Sequence, residues 1–309
     1  MNFFCGGNEI YDIIRLKRRD GSRMIDLHTH TTISDGIYSP EELVQRAIKL
    51  GLKVLCMTDH NAVNENLEQL RSKYPQIILP TGCEFSCHYK TIRGRIIRLH
   101  IGGIGFDIFD SDIQRILKHN RDSMRPYVEK ILSKLQSECG IKLCTYEDLV
   151  SRCNSKTIGR KHIAVEMVRQ GFSKDVDDAF DTYLGKDKPA YVSNAIYYAS
   201  LSEVVAAIVG TGGIASICHL YDYNLDAEEI EGLLSYFETI TYNQGAMEVY
   251  YTSYNEQQRQ KLKFLADKHR LLYSAASDFH GDGKVKELGR YPYELYERMI
   301  CAVKTGDTY

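Results

Sequence analysis

Ten histidines are spread along this chain of 309 residues, and most of them follow short apolar runs. Met24-Ile25-Asp26-Leu27 leads into His28-Thr29-His30, with Ser34-Asp35-Gly36 close behind. The run Lys53 to Met57 ends in Thr58-Asp59-His60, and Leu79 leads to Gly82-Cys83-Glu84. A run around Ile97 meets His100, Ile214 to Cys218 ends in His219, and the run at Leu271 ends in Ser277-Asp278-Phe279-His280. If these runs are strands whose ends gather on one face, His28, His30, Asp35, His60, Glu84, His100, His219, Asp278 and His280 converge as potential ligands. Imidazole with carboxylate suits Zn²⁺, Mn²⁺ or Fe²⁺, and the pleat of a strand leaves His28 and His30 on one side of the backbone. Nine ligands exceed the needs of one ion, so two or three are expected.

Taken singly, a histidine after a strand is ordinarily a hydrogen-bonded turn or core residue, and Asp-Gly is ordinarily a turn. The joint occurrence argues for a site. His88, His119 and His269 lack such a context and read as surface or packing residues. Asp59 reads as a loop cap or as a support for ligands.

The elements that must carry these residues alternate short apolar runs with amphipathic stretches, the pattern of βα units in a parallel sheet or barrel. Strands are expected at Met24–Leu27, Lys53–Met57, Ile77–Leu79, Arg95–Ile101, Ile214–Cys218, Met247–Tyr251 and Leu271–Ser274. Ser39-Pro40-Glu41-Glu42 is a helix start, with Ser39 as N-cap, Pro40 in the first turn and Glu42 closing a capping box, and Gly51 is its stop. Further helices are expected at Glu65–Lys73, Leu201–Val209, Ala227–Phe237 and Asn255–His269. From Asp110 to about Asn194 the periodicity is helical without strands, interrupted near Pro126 and stopped at Gly171 and Gly185. The organisation expected is an N-terminal extension over 1–23, a barrel built from 24–109 and 195–309, and a helical insertion over 110–194 capping its mouth. Active sites of such barrels lie at the C-terminal ends of the strands.

Composition narrows the class. Hydrophobic residues at 43% and charged residues at 26% are globular values, which excludes disordered and collagen-like chains. Lys plus Arg total 39 against 41 for Asp plus Glu, a net charge of −2 that gives no hint of a polyanion-binding surface. No apolar run reaches the roughly 18 residues of a membrane span. Nine cysteines, an odd number, are scattered from Cys5 to Cys301, as expected of reduced thiols in a cytoplasmic protein. In the N-terminal segment the basic Lys17-Arg18-Arg19 follows the apolar residues, the reverse of a secretory signal. No G-x-S-x-G elbow and no Walker A motif is present, so acyl-enzyme and P-loop chemistry lack support.

The segments DLHTHTTISDG, TDHNAV, GCEFS, HIGGIGFD, CH and SDFHG closely resemble the signature segments of the PHP family, the polymerase and histidinol phosphatase metal-dependent phosphoesterases. The resemblance covers nearly all of the chain after residue 23. In the insertion, TIGRKHIAVEMVRQG, DAFDTYLG and PAYV resemble the branch of AMP-type and 3′,5′-nucleotide bisphosphate phosphatases and 5′-end-trimming ribonucleases. It implies a distorted (β/α)7 barrel in the α/β class, with a multinuclear metal site at the mouth. One ion would be held by His28, His30, Glu84 and Asp278, a second by Glu84, His100 and His219, and a third by Asp35, His60 and His280. Mn²⁺ is expected ahead of Zn²⁺ or Fe²⁺. The chain departs from the family pattern at Leu220, where Pro is common after the histidine, at Asn61, where an acidic residue is common, and at Lys161, where Pro is common.

The chemistry implied is attack by a metal-bridging hydroxide held by Glu84 and neighbouring ligands on the phosphorus of a small nucleotide or of the 5′ end of a short RNA. Arg160 and His162 are expected at the substrate phosphate, because a guanidinium offers a planar fork; the alternative for Arg160 is to cap or brace the helix that starts near His162. Tyr191, Tyr197 and Tyr198 either stack a base or pack the cap onto the barrel. Neither a membrane nor a nucleic-acid duplex is expected as partner, and the protein is expected to be a monomer. Two other readings stand beside this one: a histidinol-phosphate phosphatase, and a non-catalytic metal-binding PHP module serving a polymerase.

Overall fold

The structure, a computed structural model, describes residues 24–153, 158–242 and 244–305. The expected extension over 1–23, with Cys5, lies outside the described residues. Eight strands form two sheets. The smaller has the order β2-β1-β8, with β1 (Met24–Thr29) parallel to β2 (Leu52–Met57) and antiparallel to the short β8 (Tyr291–Pro292). The larger runs β3 (Gly82–Lys90), β4 (Ile96–Ile104), β5 (Ile214–Ile217), β6 (Gly245–Tyr251) and β7 (Leu272–Ala276).

The expectation of a parallel arrangement holds for β5, β6 and β7 and fails at β3 and β4, which pair antiparallel with each other, β4 pairing antiparallel with β5 as well. The reason is local. Thr91 N–H donates to Arg95 O at 2.8 Å and Gly94 takes φ +81°, so a tight turn replaces the helix that a parallel crossover would require. Ile77–Leu79, expected as a strand, makes only an isolated bridge, Val54 with Ile78. Among the described residues the ladders do not close into a continuous barrel. Isolated bridges join the two sheets at Thr29 with Phe279 and at His60 with Glu84.

The first helix, α1 (Pro40–Lys49), starts with the expected capping box, in which Ser39 Oγ accepts from Glu42 N–H and the Glu42 carboxylate accepts from Ser39 N–H. Gly51, just past its end, takes φ +80°. The main core packs Phe85, Leu99, Ile101 and Ile217 against Val204, Val205 and Ile208 of a helix over Leu201–Gly210. Ile113, Ile116 and Leu117, on a helix over Ser111–Asp122, belong to this same core. A second core holds Met124, Tyr127, Ile131, Leu135, Leu149, Ile163, Met167, Leu184 and Tyr198. Helices Met124–Cys139, Tyr146–Cys153 and Arg160–Arg169 surround it. Pro126 lies in the first turn of the Met124–Cys139 helix, where no intrahelical N–H is lost. No helix among the described residues is long and apolar enough to cross a membrane, and no disulfide links their cysteines.

Candidate metal centre

All nine expected ligands meet at one place, where the two sheets come together. Glu84, on β3, is 1% exposed and stands at the centre. Its Oε1 lies 2.7 Å from His100 Nδ1 and 2.9 Å from His219 Nε2, themselves 3.3 Å apart. Its Oε2 lies 2.7 Å from His60 Nδ1, 3.4 Å from His30 Nε2 and 3.5 Å from His28 Nε2. Asp278 Oδ1 is 3.1 Å from His30 Nε2 and 3.4 Å from His28 Nε2. On the outer side Asp35 lies 3.7 Å from His30, 3.8 Å from His60 and 3.3 Å from His280. These contacts group the side chains as His28, His30 and Asp278; as Glu84 with His60 and His100, and with His219 beside them; and as His30, Asp35, His60 and His280.

Backbone details deliver these atoms. A Cβ at Gly36 would meet His30 O at 2.5 Å and one at Gly82 would meet Met57 O at 2.3 Å, so the S-D-G and G-C-E segments need glycine for close approach. His219 and Asp278 adopt left-handed φ of 31° and 57°, uncommon for residues with a Cβ. The Asp59 carboxylate accepts from Thr31 N–H and Ser34 N–H and from both hydroxyls, which holds the loop carrying Asp35. Asp26 accepts from Ser277 N–H and Oγ–H and from Gly289 N–H, tying β1 to the loop of Asp278. Burial pushes the Asp26 carboxyl up to about 6, against the pull of those hydrogen bonds.

The donor set suits divalent cations. His28 Nδ1 lies 2.6 Å from Glu248 Oε1, which can only accept, so Nδ1–H donates and the Nε2 lone pair faces the centre. His280 Nδ1–H likewise donates to Asp278 O at 2.9 Å, which leaves Nε2, 3.3 Å from Asp35 Oδ1, as its nitrogen on the site side. His28 Nε2 and His30 Nε2 then stand 3.0 Å apart. Glu84 Oε2, His30 Nδ1, His100 Nε2 and His219 Nδ1 are buried without a hydrogen bond. Such unsatisfied atoms are rare unless an ion or water completes them.

Electrostatics agree. Burial opposes charge on Glu84, yet His100, His60 and His28 hold its carboxyl well below the usual carboxylate range. Burial brings His100 down to about 3 in spite of Glu84. His280, although burial opposes it, is pushed up to about 9 by its contact with Asp35.

Three supporting groups escaped sequence reasoning. Glu248, 3% exposed on β6, binds His28 through Oε1 and accepts from His219 N–H through Oε2 at 2.7 Å. Tyr251 O–H donates to Asp278 Oδ2 at 2.9 Å. Cys218 lies within ligand reach of His28 and Glu84. An acidic residue inside the apolar run Ala246-Met247-Glu248-Val249 was the one available signal for Glu248.

Arg160 and His162 open the Arg160–Arg169 helix. Arg160 Nη1 donates to Leu184 O at 3.3 Å, and its guanidinium lies 5.4 Å from the Tyr191 ring and 5.8 Å from the Phe180 ring. His162 Nδ1 accepts from Gly159 N–H at 3.2 Å. Burial and Lys161 lower the basicity of His162 while Asp35 raises it, which puts the insertion within electrostatic reach of the centre. Tyr197 packs edge-on to Tyr127, with ring centroids 5.7 Å apart, and Tyr198 is buried in the second core, so these two pack the cap. Of the other histidines, His88 Nδ1 lies 2.8 Å from Tyr198 O, and His269 sits between Glu231 and Glu238.

Residues 26–281 match the family model of the PHP domain. The chain is 33% identical to the 3′,5′-nucleoside bisphosphate phosphatase of Chromobacterium violaceum, over 84% of this chain and 88% of that protein. It is 31% identical to a 5′-3′ exoribonuclease of Haemophilus influenzae, over 87% of this chain and 94% of that protein. Among solved structures, one described as an amidohydrolase from Chromobacterium violaceum, with bound sulfate and no metal, aligns with a TM-score of 0.70 and 31% identity. That alignment covers 88% of this chain and 96% of the other.

Proposed function

The chain belongs to the PHP domain family, and from that premise we propose a metal-dependent phosphoesterase that hydrolyses phosphate esters of small nucleotides, AMP or 3′,5′-bisphosphonucleosides, or trims the 5′ end of short oligoribonucleotides. The observation that carries this reading is the convergence of nine imidazole and carboxylate side chains around Glu84, with ring nitrogens that lack partners. The names of the relatives supply the substrate class: a bisphosphate phosphatase and a 5′-3′ exoribonuclease.

We assign His28, His30, Glu84 and Asp278 to one ion, Glu84, His100 and His219 to a second, and Asp35, His60 and His280 to a third, with Mn²⁺ ahead of Zn²⁺ or Fe²⁺. Divalent ions there supply positive charge at the phosphoryl oxygens and make water a nucleophile at neutral pH. The two oxygens of Glu84 face different histidines, which suits a bridging carboxylate. Glu248 fixes the tautomer and ring plane of His28. Tyr251 holds the second oxygen of Asp278, leaving the first to the centre.

We read the two bridged sheets as a distorted (β/α)7 barrel and residues 110–194 as the cap, whose separate core begins at Met124. Arg160, uncommitted to any carboxylate among the described residues, is assigned to a substrate phosphate, with His162 beside it.

The test is phosphate and mononucleotide release by the purified protein with Mn²⁺. The substrates are adenosine 3′,5′-bisphosphate, AMP, a 5′-phosphorylated oligoribonucleotide and histidinol phosphate. Turnover of the nucleotides is expected. Turnover of histidinol phosphate alone would replace the substrate class, and metal binding without any hydrolysis would leave a non-catalytic module.

A further inference from the structure

The β3–β4 hairpin carries the centre beyond its metal ligands. In the antiparallel register Ser86 stands opposite His100 and His88 opposite Arg98. Directly opposed residues share a face, so Glu84, Ser86 and His88 lie on the side of His100 and Arg98, while Phe85, Cys87, Leu99 and Ile101 fill the core on the other. Arg98 therefore lies on the same face two residues before His100, about 7 Å away along the strand.

That stretch of the face runs beneath the helical insertion. His88 N–H donates to Ala199 O, and Asn120, on the Ser111–Asp122 helix, donates to Ser86 O at 2.8 Å and to Asn61 Oδ1 at 2.7 Å. Arg98 is exposed there, and among the described residues it has neither a carboxylate nor a hydrogen-bond acceptor. The contrast on the same hairpin is plain. Arg93 pairs with Asp226 and Glu228, and Arg95 pairs with Glu229.

We propose that Arg98 is a specificity-determining residue that receives a second anionic group of the substrate, a phosphate or phosphodiester one ribose removed from the reacting phosphoryl group. The inference rests on the phosphoesterase reading above. The spacing of about 7 Å from His100 along the strand leaves room for a second anionic group beside the one at the ions. A planar, permanently charged fork without a competing carboxylate matches a phosphate by two parallel hydrogen bonds. Substrates with two phosphates, or with a phosphodiester after the 5′ nucleotide, are then favoured over monophosphates.

The experiment compares kcat/KM for adenosine 3′,5′-bisphosphate with that for the 3′- and 5′-monophosphates, in the parent and in Arg98→Gln and Arg98→Lys. In Arg98→Gln the preference for the bisphosphate should fall by about ten- to a hundredfold, the size of a lost charge-assisted hydrogen bond, and should fall through KM. Arg98→Lys should recover part of it, keeping the charge and losing the fork. An unchanged preference, or a loss confined to kcat, overturns the proposal. If the parent hydrolyses none of these esters, the phosphoesterase reading fails, and calorimetric titration with adenosine 3′,5′-bisphosphate then decides about Arg98. Weaker binding by Arg98→Gln supports its role, whereas equal binding, or none by the parent, overturns it.

Discussion

Glu248 decides which nitrogen His28 offers to the centre, because its carboxylate takes the Nδ1 proton and leaves Nε2 facing Glu84 and Asp278. It also accepts the backbone N–H of His219, so one side chain orients two ligands. Carboxylates in this position typically contribute a factor of about 10–100 to metal affinity. Glu248→Ala should therefore weaken Mn²⁺ binding by about that factor in a titration, while the far-UV circular dichroism stays native. Asp278→Ala, by contrast, should remove bound metal and activity together, and full activity in that variant would refute its assignment as a ligand. The clustering of the nine candidate ligands was legible because each sits in a short motif at a strand end, where sequence neighbours are spatial neighbours. Glu248, Tyr251 and Cys218 were not, since their roles arise from contacts with His28, Asp278 and Glu84, distant in sequence.

Among the elements, legibility follows the same rule of locality. The start of α1 could be read from S-P-E-E because a capping box is closed within four residues. β3 was not read as a strand at all, although Cys83, Phe85, Cys87 and Tyr89, which face the core, alternate with Glu84, Ser86, His88 and Lys90 in the two-residue period of a strand. In the first turn of the helix over Arg160–Arg169, Arg160 leans on Tyr191 and on Leu184 O rather than on an acid. A guanidinium so placed is available to a phosphate. Arg160→Ala should raise KM for nucleotide substrates by about tenfold and leave metal content unchanged, as expected for a lost charge-assisted hydrogen bond. Equal substrate affinity in the variant and the parent would make Arg160 a brace for the helix and nothing more.

At the scale of the molecule, the two sheets meet through isolated bridges rather than a continuous ladder, and the ligands straddle that seam. His28 comes from the smaller sheet, Glu84 and His100 from the larger, and Asp278 and His280 from the loop that follows β7. Without cations the seam gathers buried carboxylates and histidines whose lone pairs face one another, with few hydrogen bonds to offset their desolvation. Ions held there bind the folded chain only, since the unfolded chain does not assemble ligands from so many segments. Binding is then linked directly to stability, contributing about 2.7 kcal/mol when the free ion is at a hundred times its Kd. Chelation should lower Tm and abolish hydrolysis, and Mn²⁺ should restore both. Amide exchange should show where the stabilisation acts: on chelation, protection should fall first at His30, Glu84 and Asp278, whose N–H groups bond across the seam. It should fall least in the second core around Ile131 and Met167, which contains none of the assigned ligands. A uniform loss of protection over both cores would mean that the ions stabilise the chain as one cooperative unit, and that the cap does not hold together independently of the metal centre.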